Sequence, residues 1–229
     1  MHQLKTALLI AAMGLAPLAS ASNAGDWIFQ VFLDERPIGE QHFRVDRQGE
    51  GWRAEIAARF GVDFLFFNVY NYRHENTEVW QDGCLQSLDA ETDDNGTRYR
   101  LEGERQGDQF RLMINGEETL LPACVMSFAY WNPDILQQSR LLNTQDGRYM
   151  PVTITRVGEE SIEVLEQSVA AVQYRLDAEE LHIDLWYAQD DGRWLKLESL
   201  VKNSRLVFQP RKDGVQVTGL RLSYHTDRP

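Results

Sequence analysis

The stretch YRHENTEVWQDGCLQSLDAETDDNGTRYRLEGERQGDQFRLMING, residues 72–116, decides the fold. It carries three turn signals, Asp82-Gly83, Asn95-Gly96 and Asn115-Gly116, between runs of β-branched, aromatic and alternating residues. Tight two-residue hairpins need positive φ, which Asn, Asp and Gly tolerate best. The stretch therefore predicts consecutive antiparallel strands joined by short turns.

The rest of the chain repeats this punctuation at Asp146-Gly147, Asp191-Gly192 and Asp213-Gly214. We predict strands over residues 27–33, 38–45, 52–60, 62–80, 84–92, 97–105, 109–114, 152–157, 161–166, 169–176, 181–188, 193–201, 205–209 and 215–224. A sheet of so many strands must curl, close or split into two layers. The predicted fold class is all-β, a large antiparallel meander forming a strongly curved sheet or incomplete barrel.

One short helix is predicted near residues 132–142. Asn132 is a suitable N-cap, Pro133 fits the first helical position and Asp134 complements the helix dipole, while Asn143 can end the helix. We expect this helix to cover the mouth of the curved sheet.

The first 21 residues resemble a secretory leader. Lys5 precedes an apolar stretch from Thr6 to Leu18, and Ala19-Ser20-Ala21 offers a cleavage site, with a cut after Ala24 as the alternative. No later segment has the length needed to cross a bilayer as a helix. We expect residues 22–229 to form a single antiparallel β domain, exported to the periplasm or secreted.

Charge and cysteine content narrow the possible partners. The sequence has 23 basic and 35 acidic residues, a net charge of −12, which repels nucleic acid and anionic lipid surfaces. Export would place Cys84 and Cys124 where disulfides persist, so we predict a bond between them, with two separate thiols as the alternative. Their spacing fits no zinc site.

Several motifs resemble a known family. They are His74-Glu75-Asn76, Glu78-Val79-Trp80, Cys84-Leu85, Thr92-Asp93-Asp94-Asn95-Gly96 and the run LPACVMSFAYWNP, residues 121–133. They are similar to exported bacterial proteins grouped as domain of unknown function 6134, a resemblance that brings no activity. A weaker, architectural likeness links Ile183-Asp184-Leu185-Trp186-Tyr187 and the following turn to exported lipoprotein-carrier-like proteins with curved sheets. The apolar-ligand role that it implies is an analogy of fold.

The segment from Phe60 to Tyr72 is apolar on both faces of a strand, so both faces must be covered. Either core and helix cover them, or the segment lines a cavity for an apolar ligand. The candidate ligand-binding residues are Phe64, Phe66, Tyr70, Tyr72, His74, Phe128 and Trp131.

A polar face follows on the same strand. A hairpin at Asp82-Gly83 would set His74 opposite Glu91 and close to Asp89, the minimum pair for acid–base chemistry. The alternative is a solvated strand face with cross-strand polar pairs, and a one-residue slip would dissolve the couple. We predict no metal site and no cofactor: zinc spacing, phosphate loops and a GxSxG elbow are missing, and Asp93 to Gly96 fits a turn better than a calcium loop.

Three functions follow, in order of preference. The first is a non-enzymatic envelope protein that binds an apolar or lipid-like small molecule between sheet and helix. The second is an assembly protein that acts through an exposed sheet edge. The third is an enzyme that uses His74 with Glu91 or Asp89. The sequence gives no ligand identity and no oligomeric state.

Overall fold

The computed structural model describes residues 25–64, 67–179, 181–201 and 204–211, without the side chains of residues 63–69 and 201. The predicted leader and the predicted strand at 215–224 lie outside these residues. No helix in the described ranges is long and apolar enough to cross a membrane.

Strands account for most of the described chain. They are β1 (Gly25–Leu33), β2 (Arg36–Gln48), β3 (Gly51–Phe64), β4 (Phe67–Gln81), β5 (Cys84–Asp94), β6 (Thr97–Gln106), β7 (Gln109–Ile114), β8 (Glu117–Pro122), β9 (Arg140–Leu142), β10 (Tyr149–Pro151), β11 (Thr153–Val164), β12 (Gln167–Ala178), β13 (Leu181–Ala188), β14 (Trp194–Val201) and β15 (Ser204–Pro210). Thirteen of them form one open antiparallel sheet in the order β11-β12-β13-β14-β15-β1-β2-β3-β4-β5-β6-β7-β8, and β9 pairs with β10. The all-β antiparallel prediction is confirmed.

The hairpin turns follow the sequence signals. Asp82-Gly83, Asn95-Gly96 and Asn115-Gly116 have φ values of 53 and 72, 50 and 94, and 51 and 89 degrees. Positive φ at both central residues is the requirement of a type I′ turn, whose twist matches that of the flanking strands. Short β8 had no predicted counterpart, and β11 joins two predicted strands across a bulge between Arg156 and Gly158.

The sheet curls around its own interior. Trp131 packs its ring 5.9 Å from that of Trp80 on β4, and the neighbouring Tyr130 carbonyl accepts a hydrogen bond from Tyr187 Oη on β13 at 2.9 Å. Six strand-to-strand steps separate β4 from β13. In a flat sheet those steps would span about 29 Å, too far for two consecutive residues to bridge. The sheet is therefore an open, barrel-like structure.

The connection between the two edge strands fills part of this interior. We call residues 123–152 the inner segment. Its buried residues join one core cluster with residues from β1 to β8 and β12 to β15; they are Val125, Met126, Ala129, Trp131, Ile135, Leu141, Leu142, Met150 and Val152. Residues from both halves of the sheet thus pack on the same connection.

A disulfide fixes the start of the inner segment. Cys84, at the start of β5, is bonded to Cys124, and Leu85 N donates to Val125 O at 3.0 Å directly beside it. The predicted pairing is confirmed. In the chain-entropy model a crosslink over 40 residues stabilises the fold by about 4 kcal/mol.

The helix predicted over residues 132–142 is wrong in length and kind. Asn132 Oδ1 does cap Asp134 N at 3.0 Å, but only a single 3-10 turn, Pro133–Gln137, follows. β9 begins at Arg140, because this part of the chain pairs with β10 instead of continuing a helix. The inner segment as a whole, rather than a helix, covers the concave face.

Candidate functional site

The inward face of β4 is polar and buried. Every second residue of this stretch points inward, and each of the five is at most 9% exposed: Tyr72, His74, Asn76, Glu78 and Trp80. The expectation of a solvated face is therefore wrong. Buried polar groups need internal hydrogen-bond partners, so these residues form the first place to look for function.

His74 lies beside a hydroxyl group and not a carboxylate. Its Nδ1 is 2.9 Å from Thr92 Oγ1, and its cross-strand partner is Thr92. Burial lowers the pKa of the imidazole to about 4, against smaller opposite effects of Glu75 and the Glu91 backbone. His74 is therefore neutral near pH 7.

The predicted couple of His74 with Glu91 or Asp89 does not form. A β-bulge shifts the register between Val79 and Trp80, so every residue beyond it moves by one position. Glu91 and Asp89 lie on the outer face, where both pair with Arg100, at 3.1 and 2.6 Å. A one-residue shift in register moves the side chains expected on one face of the sheet to the other face.

Glu78 is the centre of a buried hydrogen-bond network. Its carboxylate accepts from Asn76 Nδ2 at 2.9 Å, Ser127 Oγ at 3.0 Å and Trp80 Nε1 at 2.9 Å, and Asn76 Nδ2 also donates to Thr144 Oγ1 at 3.1 Å. Burial raises the pKa of Glu78, against these three hydrogen bonds, which favour the ionised form. Since Ser127 and Thr144 belong to the inner segment, the network attaches that segment to β4.

Among the residues that the structure describes, two buried polar atoms have neither a hydrogen bond nor an ion pair. They are Asn76 Oδ1, an acceptor, and Trp131 Nε1, a donor. Leaving such a group unpaired costs about 1–3 kcal/mol, so each of these atoms would be stabilised by a further hydrogen-bond partner. Asn76 thus satisfies Glu78 and Thr144 with its nitrogen and keeps an oxygen free.

Five paired positions form what we call the aromatic belt: Phe208, Val31, Gly39, Phe60 and Tyr72, on β15, β1, β2, β3 and β4 in turn. Phe60 stacks on Tyr72 at 5.3 Å and meets Phe208 edge-on at 6.4 Å, across the position where Gly39 has no side chain. Phe60 is partly exposed although it points inward.

The belt lies at the end of the interior where the β3–β4 hairpin turns, which we call the hairpin end. Trp52 and Trp80 lie at the opposite end, eight residues along β3 from Phe60 or about 26 Å, and there Trp131 packs between them. Trp131 of the inner segment therefore packs at the end opposite the belt.

The tyrosine of the belt keeps its proton. Burial, and then the nearby Tyr70, Asp94, Tyr130 and Asp146, raise the pKa of Tyr72. A neutral phenol can donate one hydrogen bond and accept another. Because Tyr130 and Asp146 belong to the inner segment, the belt and that segment face each other.

The remaining predicted ligand-binding residues lie in different environments. Phe66 and the side chain of Phe64 lie outside the described residues. Tyr70 donates to Asp94 at 2.8 Å on an exposed stretch, while Phe128 is half-buried against the core. Trp131 is 2% exposed and belongs to the packed core rather than to a rim.

A second concavity occupies the outer face. It encloses about 480 Å³ beside charged residues of β4, β5 and β6. Its cations and acids pair with one another, as in Arg73 with Glu75 and Arg98 with Asp93. Asp93 Oδ1 also accepts a hydrogen bond from Gly96 N at 2.8 Å, which supports the prediction that this loop is a turn. Within the described ranges, no group of three His, Cys, Asp or Glu residues is placed to hold a metal ion.

Comparison with known proteins agrees with the resemblance in the sequence. A family model described as "Domain of unknown function (DUF6134)" matches residues 29–211. The chain belongs to the DUF6134 family. No curated protein matches it.

A solved structure shares the fold of this DUF6134 protein. It is the crystal structure of a "Beta-barrel-like Protein of Domain of Unknown Function DUF1849 from Brucella abortus", with 10% sequence identity and a TM-score of 0.60 over 82% of this chain and 95% of that one. At this identity the likeness concerns the fold alone.

The signal that sequence reasoning missed is the pair of aromatic residues at the two ends of the β4 face. Tyr72 and Trp80 share a face with His74, Asn76 and Glu78, and large aromatic side chains belong inside. Their position could have shown that the polar residues between them point inward. Phe60 could have been found in the same way, as the cross-strand partner of Tyr72.

Proposed function

We propose that this protein binds an apolar or lipid-like small molecule inside the curved sheet at the hairpin end, between the aromatic belt and the inner segment. One observation supports this above all. The inward residues Ala54, Ile56 and Ala58 of β3 are buried, whereas Phe60, the next inward residue, is only half-buried. A large inward aromatic side chain with free surface is typical of the wall of a ligand site.

Tyr72, His74 and Phe128 keep the roles assigned to them in the sequence. Tyr72 lies in the belt, His74 one inward position further along β4, and Phe128 approaches from the inner segment with its ring 6.2 Å from that of Tyr130. Trp131 does not line the site in this proposal. It packs against Trp80 in the core beneath the site.

The two alternative functions have less support. An acid–base enzyme would need a carboxylate at His74, and the neighbouring group is the Thr92 hydroxyl. A scaffold would need an open sheet edge, but both edges carry features that oppose strand addition. The edge strand β8 begins with two glutamates and ends at Pro122, and the edge strand β11 has a bulge before Gly158.

We also propose that the protein acts in the cell envelope after removal of residues 1–21. The Cys84–Cys124 disulfide is compatible with an oxidising compartment. Mass spectrometry of the N-terminus of protein isolated from its native host should find Ser22 or Gly25 first. An intact Met1 would contradict export through this leader.

Binding can be tested with N-phenyl-1-naphthylamine, a neutral apolar dye that fluoresces when it leaves water. The parent protein should bind it saturably, and Phe60→Ala should weaken binding about tenfold, or about 1.4 kcal/mol. The matched control is Phe32→Ala, because Phe32 lies on the opposite face of β1. A parent protein without dye binding would refute the proposal.

Stability measurements separate a wall from a packed core. Phe110 is 0% exposed, so Phe110→Ala should lower the free energy of unfolding by about 3–5 kcal/mol. Phe60→Ala should lower the free energy of unfolding, measured by urea denaturation, clearly less, because Phe60 is only half-buried. An equal loss for both variants would show that Phe60 is ordinary core.

A further inference from the structure

Within the described part of the chain, no lysine or arginine is fully buried in the interior next to the proposed site. Among the described residues, the buried polar and charged side chains are His74, Asn76, Glu78, Thr92, Ser127, Asn132, Thr144 and Ser199. None is Lys or Arg, and the one group able to carry a full negative charge is Glu78. The interior is therefore neutral or negative.

The polar groups along β4 offer acceptors for a hydrogen bond. Asn76 Oδ1 is buried and has no partner among the described residues, and the Glu78 carboxyl lies one inward position beyond it. His74, between Asn76 and the belt, presents an imidazole that burial holds in the neutral form. A ligand group that reaches these residues meets no positive charge, and at Asn76 it meets an acceptor.

We propose that the bound molecule is a neutral amphiphile whose polar end donates a hydrogen bond towards Asn76, such as a long-chain alcohol or amide, and that fatty-acid anions are excluded. This inference rests on the proposed function, since it assigns the ligand class of the same site. The hydrocarbon part lies against Phe60, Tyr72 and Phe208, and the donor group points along β4.

Two physical effects favour this ligand class. An ionised carboxylate that leaves water needs a cation or several donors in compensation, and the buried side chains that the structure describes include neither a Lys nor an Arg. A carboxylate also lacks a hydrogen to donate, so Asn76 Oδ1 would stay unpaired beside it. An alcohol loses little on desolvation and can pair with that oxygen.

The test is displacement of bound N-phenyl-1-naphthylamine at pH 7.5 by three ten-carbon compounds: 1-decanol, methyl decanoate and sodium decanoate. We expect the alcohol to bind best, the ester, which has no donor, to be weaker, and the anion to be at least about 100-fold weaker than the alcohol. If decanoate binds as tightly as the ester, the argument from charge is wrong. If the ester binds as tightly as the alcohol, the argument from hydrogen-bond donation is wrong.

A charge-inserting variant provides a second readout. Gln41 is half-buried and faces inward, because its cross-strand partners Phe29 and Ala58 are buried. Gln41→Arg should raise the affinity for decanoate to within about tenfold of the affinity for decanol. Gln48→Arg, at an exposed position of the same strand, should leave the order of the three affinities unchanged. An unchanged order in a folded Gln41→Arg protein would contradict the inference.

The two proposals can fail separately. If the parent does not bind the dye, the proposed function itself fails. If it binds the dye and decanoate displaces it as well as decanol does, binding stands and the neutral-ligand inference alone is wrong.

Discussion

Acidification should destabilise this protein through His74. The folded state holds the imidazole neutral, with a pKa of about 4, whereas an unfolded histidine titrates near 6.5. Between these values the unfolded chain binds one proton more, so the free energy of unfolding falls as the pH falls. The slope is about 1.4 kcal/mol per pH unit, which amounts to about 2 kcal/mol between pH 7.5 and pH 5.

The assay is urea denaturation of the parent and of His74→Gln at pH 7.5 and pH 5. Glutamine preserves a polar group near Thr92 Oγ1 but cannot take up a proton. The parent should lose about 2 kcal/mol more than the variant over this interval, because all other titrating groups are common to both. His182→Gln, which removes an exposed histidine paired with Asp177, is the control and should retain the sensitivity of the parent. Parallel losses in the parent and His74→Gln would refute the reasoning.

Three further predictions follow from other contacts. Replacing Cys84 and Cys124 by serine should lower the free energy of unfolding by about 4 kcal/mol, and a loss below about 1 kcal/mol would contradict a structural role. Burial raises the pKa of Glu78, so the folded state keeps a proton that the unfolded chain releases above about pH 4.3. Relative to Glu78→Gln, the parent should therefore lose stability as the pH rises through this range. A pH-independent difference would show that folding leaves the pKa of Glu78 unchanged. Gly39→Ala should lower the melting temperature by at least about 4 °C, since its Cβ would lie 1.9 Å from a backbone oxygen at φ +152°, while Gly49→Ala, which meets no atom within 4 Å, should suffer only the strain of positive φ; equal effects would exclude steric contact as the cause.

Most of the strands and the tight turns could be predicted because their signals are local. The strand predicted over residues 62–80 was wrong, because β3 ends at Phe64 and pairs there with Phe67, the first residue of β4. Asn-Gly and Asp-Gly pairs tolerate the positive φ that a type I′ turn requires, and three of them form tight hairpins here. The disulfide could also be predicted, from two cysteines and a leader-like N-terminus. Curvature followed from strand number alone.

The register of β4 and β5 could not be predicted, because a bulge has no reliable sequence signal. One extra residue between Ser87 and Leu85, opposite Val79 and Trp80, moved His74 from Glu91 to Thr92. That single displacement separated the supposed catalytic pair. The burial of Glu78 was equally hidden, since its partner Ser127 is 49 residues away in sequence.

The helix was overpredicted because its start signals are genuine and its continuation is not. Asn132, Pro133 and Asp134 do begin a turn with a capped N-terminus. Beyond Gln138, pairing of Arg140–Leu142 with Tyr149–Pro151 determines the backbone. Tertiary pairing outweighs weak local propensity in a segment this short.

The pairing of β1 with β15 has a consequence for the order of folding. Arg205 N bonds to Asp34 Oδ1 across 171 residues of chain, whereas most other neighbours in the sheet are consecutive hairpin strands. Closing a loop of that length costs about 4–5 kcal/mol of chain entropy, so we expect the local hairpins on each side to form first and this ladder to form late. The middle of the sheet is then the last region to assemble, and a chain stopped before β15 would leave β1 and β14 as two unprotected edges available to other chains.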